Sequence, residues 1–457
     1  MQIAIVGGGK IGFALAKQLQ TENHEIILID TKDEVIEQAS GMLDVMGYVG
    51  NGASYSVLKE AGVEQCELLI AVTATDEVNM LSCLVAHRLM KKGHTIARVR
   101  NPEYVSHLYT LREDLGLSMS INPERAAAEE IARILRFPSA AHVELFAGGR
   151  TELVSFTIPE GNVLDGMMLK KMSQKLTLQV LFCAVERGDE TYIPSGDFTM
   201  TAGDTVYMMG APKEIENAFR QLKARHQPAR SVMIAGGGHI SYYLAEALCN
   251  KHIAVKIIVR DAQRAEELAE ILPDAVILHG DAADHELLAE EGIDKTDAFV
   301  SLTGLDEGNI LSSMYAQKVK VPKVITKINN ENLISLIRGS GLQSIVSPKS
   351  VTSNQILRYV RAIDNRTENS SMISLYKLAN GIAEVSEFRA TAKIDGLTSI
   401  PLMQMRLKKD ILIACIVRDG RPLIPHGTDF IQTGDSVLIV SRDHILRELS
   451  DILEDAE

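Results

Sequence analysis

The stretch Ile3-Ala-Ile-Val-Gly-Gly-Gly-Lys-Ile-Gly12 decides the fold of this chain. In it an apolar run is followed by the pattern GxGxxG, and the helix-like segment Ile11–Gln20 comes next. The following apolar run ends in Asp30, near the spacing of about 20 residues expected between the glycines and the acidic residue of a dinucleotide-binding βαβ unit. We therefore expect a strand, a glycine loop and a helix N-terminus that presents backbone N–H groups to phosphates.

The residues of this fingerprint have distinct physical roles in nucleotide binding. Gly7 permits the tight turn, Gly9 lets the backbone approach a pyrophosphate, and Gly12 allows the helix to pack closely on the strand. Asp30 can accept hydrogen bonds from both hydroxyls of an adenosine ribose, and its charge disfavours the 2′-phosphate of NADP. The alternative is a Rossmann-shaped domain that has lost its ligand.

Three further residues, at the ends of two predicted strands, complete the predicted site. Thr73 and Ala74 follow the apolar run Leu68–Val72, at the carboxyl end of a predicted strand, where ligands bind in open α/β folds. Arg98 ends the next predicted strand, where its guanidinium can pair with a phosphate. The alternative for Arg98 is a solvated strand end.

The sequence contains a tandem repeat. The opening stretch returns as Val232-Met-Ile-Ala-Gly-Gly-Gly-His-Ile-Ser241, and further matches follow in the same order. The joint lies near residues 225–230, where His226–Arg230 is interpreted as a short linker. The matches include Gly50-Asn51 with Gly280-Asp281, Thr73–Asn79 with Thr303–Asn309, and Ile131–Arg136 with Ile356–Arg361.

Each half divides again into two predicted domains. Short apolar runs alternate with helical periods up to about residue 123, which predicts a parallel sheet covered by helices on both faces. Glu124–Phe137 is predicted as an amphipathic helix, and the β-rich texture after Pro138 predicts a small α+β module. We therefore expect an α/β protein with two Rossmann-like parallel-sheet domains, each followed by a small α+β domain.

The second copy departs from the first at two positions of the fingerprint. Ser241 replaces the third glycine, which is tolerable if the helix sits slightly further out. Arg260 is interpreted as the replacement of Asp30, which would remove the acceptor for the ribose and offer a cation instead. The second site could then bind a different nucleotide with a phosphate near Arg260, bind NAD poorly, or be empty.

The composition excludes several classes of protein. With 47 Lys and Arg against 60 Asp and Glu, the chain has a net charge of −13, which argues against a nucleic-acid binder. Its five cysteines form no CxxC pair, so neither a disulfide framework nor a metal site is expected. Because no stretch reaches the ~18–20 apolar residues of a membrane helix, we expect no direct membrane insertion.

No group of residues suggests a catalytic site. The twelve His are dispersed, and the β-rich modules carry no nucleophile elbow, catalytic triad or metal cluster. Gly203-Asp204 and Gly434-Asp435 are interpreted as turns, and Asp76-Glu77 and Asp306-Glu307 as N-caps of the helices that follow. A repeated nucleotide fold without catalytic residues suggests a sensor.

In these combined features the chain resembles a known family, the domains that regulate potassium conductance (RCK, also called KTN). The residues that carry the resemblance are Gly7–Gly12, Asp30, Gly50-Asn-Gly52, Thr73–Asp76 and Arg98–Asn101, and the β-rich modules are similar to the companion C-terminal RCK domain. The resemblance implies N-terminal RCK domains at 1–123 and 231–348, crossover helices with linkers at 124–141 and 349–370, and C-terminal RCK domains at 142–226 and 371–453.

The resemblance also implies the positions that contact the ligand. In the first repeat these are Gly7, Gly8, Gly9, Lys10, Ile11, Gly12, Asp30, Asn51, Thr73, Ala74 and Arg98. In the second repeat they are Gly236, Gly237, Gly238, His239, Ile240, Arg260, Asp281, Thr303, Gly304 and Lys327. The family ligands are NAD(H) or, alternatively, ATP and ADP.

The function implied by the resemblance is regulatory. A non-enzymatic peripheral protein would dock on a potassium-translocating membrane subunit at the cytoplasmic face of the inner membrane and gate it according to the bound nucleotide. Four chains could assemble their N-domains into a ring of eight. Two other functions remain open from the residues alone: an NAD-dependent oxidoreductase with an unidentified small-molecule substrate, and a scaffold whose nucleotide fold is vestigial.

Overall fold

The computed structural model describes the whole chain except residues 138, 173–175, 189, 223–228, 338–339, 343, 368–371, 379–381, 392–396, 445 and 455–457. Two compact units are present: unit 1 comprises 1–129, 242–244 and 346–357, and unit 2 comprises the rest. Among the described residues, no helix combines the length and the apolar character needed to cross a membrane.

The first element group is a parallel sheet with the strand order 3-2-1-4-5-6. Its strands are β1 (Gln2–Val6), β2 (Glu25–Asp30), β3 (Met46–Val49), β4 (Leu68–Ala71), β5 (His94–Arg98) and β6 (Met119–Ile121). Its helices are α1 (Lys10–Thr21), α2 (Asp33–Met42), α3 (Tyr55–Glu60), α4 (Asp76–Leu89) and α5 (Pro102–Leu111), and α6 (Pro123–Ile134) follows. The strand order reverses between β1 and β4, which creates the crevice where ligands bind in such sheets.

An antiparallel sheet follows, with the strand order β10-β9-β11-β8-β7. The strands are β7 (Ala140–Phe146), β8 (Thr151–Thr157), β9 (Val180–Arg187), β10 (Glu190–Tyr192) and β11 (Thr205–Gly210), with helices α7 (Leu169–Met172) and α8 (Pro212–Gln221). Helix α8 covers one face of the sheet, where the ring centroid of Phe219 lies 5.4 Å from those of both Phe137 and Phe156.

The second half repeats both sheets. Its parallel strands are β12 (Ser231–Ala235), β13 (Ala254–Val259), β14 (Ala275–His279), β15 (Ala298–Ser301), β16 (Lys323–Lys327) and β17 (Ser344–Val346). Its helices are α9 (His239–Cys249), α10 (Ala262–Ile271), α11 (His285–Glu290), α12 (Asp306–Lys318), α13 (Glu331–Leu336) and α14 (Pro348–Thr367). The last strands are β18 (Met372–Leu378), β19 (Ala383–Arg389), β20 (Ile411–Arg418), β21 (Arg421–Leu423) and β22 (Ser436–Arg442).

The two halves have matching topologies. The second parallel sheet has the order β14-β13-β12-β15-β16-β17, and the second antiparallel sheet has the order β18-β19-β22-β20-β21, each equivalent to its counterpart. The predicted fold class, two Rossmann-like sheets each followed by a small α+β module, is therefore confirmed. The predicted linker at His226–Arg230 falls mostly on residues 226–228, outside the described residues.

The two antiparallel sheets share a hydrophobic core within unit 2. Phe146 and Leu153 of the first sheet pack in one buried cluster with Val385 and Leu438 of the second. At its edge Arg442 donates a hydrogen bond to the carbonyl oxygen of Thr191 at 2.7 Å. This shared cluster therefore helps to stabilise both β-rich modules, because burying apolar surface is the main favourable contribution to folding.

The predicted turns at Gly203-Asp204 and Gly434-Asp435 are confirmed. Both glycines have a positive φ, +89° and +97°, which glycine adopts without the strain that a Cβ would cause. Each aspartate is buried and accepts two hydrogen bonds from an arginine of a neighbouring strand, Asp204 from Arg187 and Asp435 from Arg418, at 2.7–3.0 Å. These carboxylates stabilise the turns, and each already forms an ion pair with its arginine.

Candidate functional site

The first glycine loop connects β1 to α1. Gly7 has φ +101°, and a Cβ there would lie 2.9 Å from the backbone nitrogen of Thr73. A Cβ on Gly12 would lie only 1.8 Å from the carbonyl oxygen of Gly7, so no side chain fits this backbone. A Cβ on Gly9, in contrast, would meet no atom within 4 Å. The loop is therefore tightly packed at its base and open at Gly9, where helix α1 begins at Lys10 and Ile11.

The carboxylate of Asp30 lies beside this loop at the end of β2. Its Oδ2 accepts a hydrogen bond from the backbone N–H of Gly8 at 2.7 Å, and its Oδ1 accepts one from the N–H of Lys32 at 3.0 Å. The carbonyl oxygen of Asp30 accepts a hydrogen bond from the N–H of Gly50 at 2.8 Å, which brings the turn with Asn51 to the same edge. The predicted acceptor for a ribose is thus held next to the predicted phosphate loop.

A buried asparagine joins the two other predicted positions. Asn79 is fully buried on α4, and its Oδ1 accepts hydrogen bonds from the backbone N–H and the hydroxyl of Thr73, both at 2.7 Å. Its Nδ2 donates to the carbonyl oxygen of Arg98 at 2.9 Å. The sequence interpretation did not assign this role to Asn79, although the residue recurs as Asn309 in the repeat. Thr73, Ala74 and Arg98 therefore belong to one hydrogen-bonded edge of the sheet.

Arg98 carries a charge that the described residues do not fully compensate. Its side chain is half-buried, and its Nε has no hydrogen-bond partner among the described residues. Burial lowers the pKa of Arg98, and the neighbouring Arg100 lowers it further, against the opposing charges of Glu124 and Asp76. A partly desolvated guanidinium with an unused donor favours binding of an anion such as a phosphate.

The N-cap interpretation of Asp76 and Asp306 was wrong. Thr75 is the N-cap of α4, and the Oδ2 of Asp76 instead accepts hydrogen bonds from the backbone N–H groups of Arg100 and Asn101, both at 2.8 Å. In the repeat, Asp306 accepts hydrogen bonds from the corresponding backbone groups at 2.9 Å. These carboxylates fix the segment that follows β5 or β16, because backbone donors exposed by the end of a strand need acceptors.

The second glycine loop repeats this arrangement between β12 and α9. Gly236 has φ +109°, and a Cβ on Gly238, which precedes His239 and Ile240, would again meet no atom within 4 Å. Asn309 accepts hydrogen bonds from the N–H and hydroxyl of Thr303 and donates to the carbonyl oxygen of Lys327 at 3.0 Å. The structure therefore brings together Thr303, Gly304 and Lys327 just as it does Thr73, Ala74 and Arg98.

One predicted equivalence needs correction, because Val259 and not Arg260 stands where Asp30 stands in the first copy. Gly7 donates its N–H to Ile29 and Gly236 donates to Ile258, both at 2.8 Å, so the next residues, Asp30 and Val259, correspond. The contact of Gly50 with Asp30 likewise recurs between Gly280 and Val259. Arg260 follows one position later, and its Nε lies 3.6 Å from Oδ2 of Asp281. The second loop thus has a valine, and not a carboxylate, at the position equivalent to Asp30.

A metal site and a reactive thiol place specific requirements on the titratable side chains outside the glycine loops. Among the described residues no group of three or more His, Cys, Asp or Glu side chains is arranged to hold a metal ion. All five cysteines are free thiols, and burial raises the pKa of Cys83 to about 12, which makes it unreactive at neutral pH.

A small cavity lies at the ends of β5 and β6 in unit 1. It has a volume of about 190 Å³ and is lined by Val99, Asn122, Arg125, Glu129 and Gln355 among others. Ligand pockets for small molecules usually enclose about 300–1,000 Å³, so this cavity alone is too small for a dinucleotide. The glycine loops, which open to solvent, remain the candidate binding sites.

Two models of known domain families match this chain. The model of the TrkA-N domain matches residues 3–123 and again 232–348, and the model of the TrkA-C domain matches residues 153–223. The two TrkA-N matches coincide with the two parallel sheets that carry the glycine loops.

Similar proteins extend over nearly the whole chain. The Trk system potassium uptake protein TrkA of Halomonas elongata is 33% identical over 447 residues, 96% of this chain and 95% of the relative. TrkA homolog 1 of Methanosarcina mazei is 33% identical over 448 residues, 96% of this chain and 97% of the relative. A solved structure of the GsuK channel bound to NAD is similar in fold, with a TM-score of 0.63 and 17% identity, over 97% of this chain and 77% of that one. The chain therefore belongs to the TrkA family of Trk system potassium uptake proteins.

Proposed function

We propose that this protein is the nucleotide-sensing regulatory subunit of a Trk potassium uptake system. One observation carries the proposal: the carboxylate of Asp30 is held 2.7 Å from the backbone nitrogen of Gly8, beside a loop that is open at Gly9. This arrangement offers an acceptor for ribose hydroxyls and, at the start of α1, N–H donors for phosphates. Arg98 supplies an incompletely paired cation at the neighbouring strand end.

The proposed ligand of the first site is NAD(H), with ATP or ADP as the alternative. Both classes present the same adenosine ribose to Asp30 and a chain of phosphates to the glycine loop. The similar fold of the GsuK channel, which was solved with NAD bound, supports NAD(H). The proposed contacts are those expected from the sequence, except that Arg260 does not replace Asp30.

The proposed partner is a potassium-translocating membrane subunit of the TrkH or TrkG type. We infer that the protein docks on the cytoplasmic side of the inner membrane and that four chains assemble their eight N-domains into a ring. The domain boundaries that we propose for each chain of the ring are those expected from the sequence. The names of the TrkA relatives, which place them in a potassium uptake system, support a transporter as the partner.

The proposed mechanism is a shift between conformations of the assembly. A nucleotide can move such an equilibrium only if it binds one conformation more tightly than the other. The role proposed for the protein in this mechanism is regulatory and requires no catalytic step. The TrkA relatives are named as potassium uptake proteins, which favours a regulatory function over an oxidoreductase.

Native mass spectrometry of the purified full chain tests nucleotide binding and assembly together. We expect a tetramer that retains a mass matching NAD(H) or an adenine nucleotide. In a strain that has no other potassium uptake system, deletion of the gene is expected to slow growth at low external potassium, and the plasmid-borne gene should restore it. A tetramer that binds none of these nucleotides, or normal growth of the deletion strain, would contradict the proposal.

A further inference from the structure

The second glycine loop differs from the first at the edge where Asp30 lies in the first copy. In the first copy the N–H of Gly8 is bound by the carboxylate of Asp30. In the second copy Val259 occupies that position, and a Cβ on Gly237, the equivalent of Gly8, would lie 2.7 Å from its Cγ1. The residue equivalent to Asp30 is therefore uncharged at the second loop, and the nearby carboxylates are engaged elsewhere: Asp261 accepts a hydrogen bond from the backbone N–H of Arg264, and Asp281 pairs with Arg260.

Two arginines stand at this edge instead. Arg264, in the first turn of α10, donates from Nε to the carbonyl oxygen of Gly237 at 3.0 Å and from Nη1 to Glu267 at 2.8 Å. Arg260 directly follows Val259, and its side chain is 80% exposed. Its Nε lies 3.6 Å from Oδ2 of Asp281, which is itself half-exposed. Such exposed pairs contribute little, so a phosphate dianion could displace Asp281 from Arg260.

Ser241 places a buried hydroxyl beside the same loop. Ser241 takes the place of Gly12 at the start of α9, where it is fully buried, and its Oγ has no hydrogen-bond partner among the described residues. A buried hydroxyl that stays unpaired is costly, and in native proteins such groups usually meet a water, an ion or a ligand. The second loop thus combines the open space at Gly238 with a donor that the described residues do not use.

We propose that the second N-domain binds an adenine dinucleotide that carries a 2′-phosphate, of the NADP(H) class, whereas the first binds a nucleotide with an unmodified ribose. The cations at Arg260 and Arg264 would receive the 2′-phosphate, as arginines do when they replace the ribose-binding acid of such folds. The inference rests on the nucleotide-binding function proposed above. The protein would then read two nucleotide pools through two loops of one chain.

Hydrogen-exchange mass spectrometry on the full chain can assign each ligand to its loop. We expect NADP⁺ to protect residues 236–241 and NAD⁺ to protect residues 7–12. Calorimetry measures the contribution of each arginine. Arg260→Ala and Arg264→Ala should each weaken NADP⁺ binding about 10- to 100-fold, which corresponds to the loss of one or two charge-assisted hydrogen bonds. NAD⁺ binding should be unchanged in both variants. Arg421→Ala, at an exposed position on β21, is the matched control. Arg260→Gln repeats the test with an uncharged side chain that is longer than that of alanine.

The outcomes separate this inference from the proposed function. The inference is overturned if NADP⁺ protects only residues 7–12, fails to bind, or binds equally well to the Arg260 and Arg264 variants. Nucleotide sensing still stands in each of these cases, provided that NAD⁺ or ATP protects the first loop. If none of NAD⁺, NADP⁺, ATP and ADP protects either loop, both are overturned.

Discussion

The Oδ2 of Asp30 lies 2.7 Å from the backbone nitrogen of Gly8, so the second residue of the glycine loop is tied to the end of the adjacent strand. This hydrogen bond orients the carboxylate before any ligand arrives. An ionised carboxylate has four acceptor positions, and Gly8 and Lys32 occupy only two of them. The remaining positions are available to ribose hydroxyls, and because the carboxylate is pre-oriented less entropy is lost on binding.

Replacement of Asp30 by Ala should weaken nucleotide binding at the first site. Each lost hydrogen bond to a charged group is worth about 1.5–3 kcal/mol, which corresponds to at least a tenfold rise in Kd. Calorimetry with NAD⁺ and with ATP measures the change. Asp33→Ala removes an exposed carboxylate from the first turn of α2 and serves as the control. Equal affinities of the wild type and the Asp30 variant would refute the assignment.

A methyl group on Gly9 should affect ligand binding without affecting folding. The added Cβ meets no protein atom within 4 Å, and the φ of Gly9, −63°, suits any residue. We therefore expect the free energy of unfolding of Gly9→Ala to stay within about 0.5 kcal/mol of the wild type. Nucleotide affinity should fall because the methyl group occupies space that a phosphate would use. Denaturant titration and calorimetry of the same preparation check both outcomes.

Gly12→Ala is the opposite case and serves as the contrast to Gly9→Ala. Its Cβ would overlap the carbonyl oxygen of Gly7, so we expect a clear loss of stability together with the loss of binding. Gly41→Ala, on α2 and with equally open surroundings, should change neither binding nor the fold. If Gly9→Ala binds as tightly as the wild type, the open face of the loop is not the phosphate site.

Replacement of Arg98 by Met should remove the stabilisation that a nucleotide confers. In the ligand-free protein the partly buried guanidinium pays a desolvation cost that a thioether avoids, so the unfolding midpoint of the variant should equal or exceed that of the wild type. Addition of NAD⁺ should raise the midpoint of the wild type but not that of the variant. Arg88→Met, at an exposed position on α4, should behave as the wild type. A ligand-induced rise retained in Arg98→Met would contradict the phosphate contact.

Lys323 predicts a pH dependence of stability in unit 2. Its ammonium group is buried, donates to the carbonyl oxygen of Ala140 and, at 2.7 Å, to the hydroxyl of Ser344, and burial lowers its pKa to about 7. An unfolded lysine titrates near pH ~10.4, so between about pH 7 and pH 10 the unfolded chain holds a proton that the folded chain has lost. The free energy of unfolding therefore gains a contribution from Lys323 that rises with pH across this window, by at most about 1.4 kcal/mol per pH unit.

Comparison of Lys323→Met with the wild type isolates this contribution, because the other titrating groups are common to both proteins. From pH 7.5 to pH 10 the wild type should gain stability relative to the variant in urea unfolding. Lys318→Met, at an exposed position at the end of α12, should run parallel to the wild type. Parallel curves for Lys323→Met as well would show that the buried lysine keeps its ordinary pKa.

The sequence predicted the strands that flank the glycine loops and missed others. Ile3–Val6, Leu68–Val72 and their counterparts are continuous apolar runs, because strands at the centre of a parallel sheet are buried on both faces. Strand β3 lies at the sheet edge with three of its four residues exposed, and β6 has only three residues, so neither has a recognisable pattern.

The sequence by itself determined the tandem organisation, the parallel-sheet fold and the two glycine loops of this protein. These features depend on apolar periodicity and on glycines at short fixed spacings, both of which are local properties of the chain. Only the tertiary structure decided the roles of Asn79 and Asp76 on α4, because the backbone groups that they bind lie 19 to 25 residues further along the chain, at the end of β5 and just after it. It also decided that Val259 corresponds to Asp30. The sequence comparison had placed this equivalence one residue later, whereas hydrogen bonds between neighbouring strands and loops set the register.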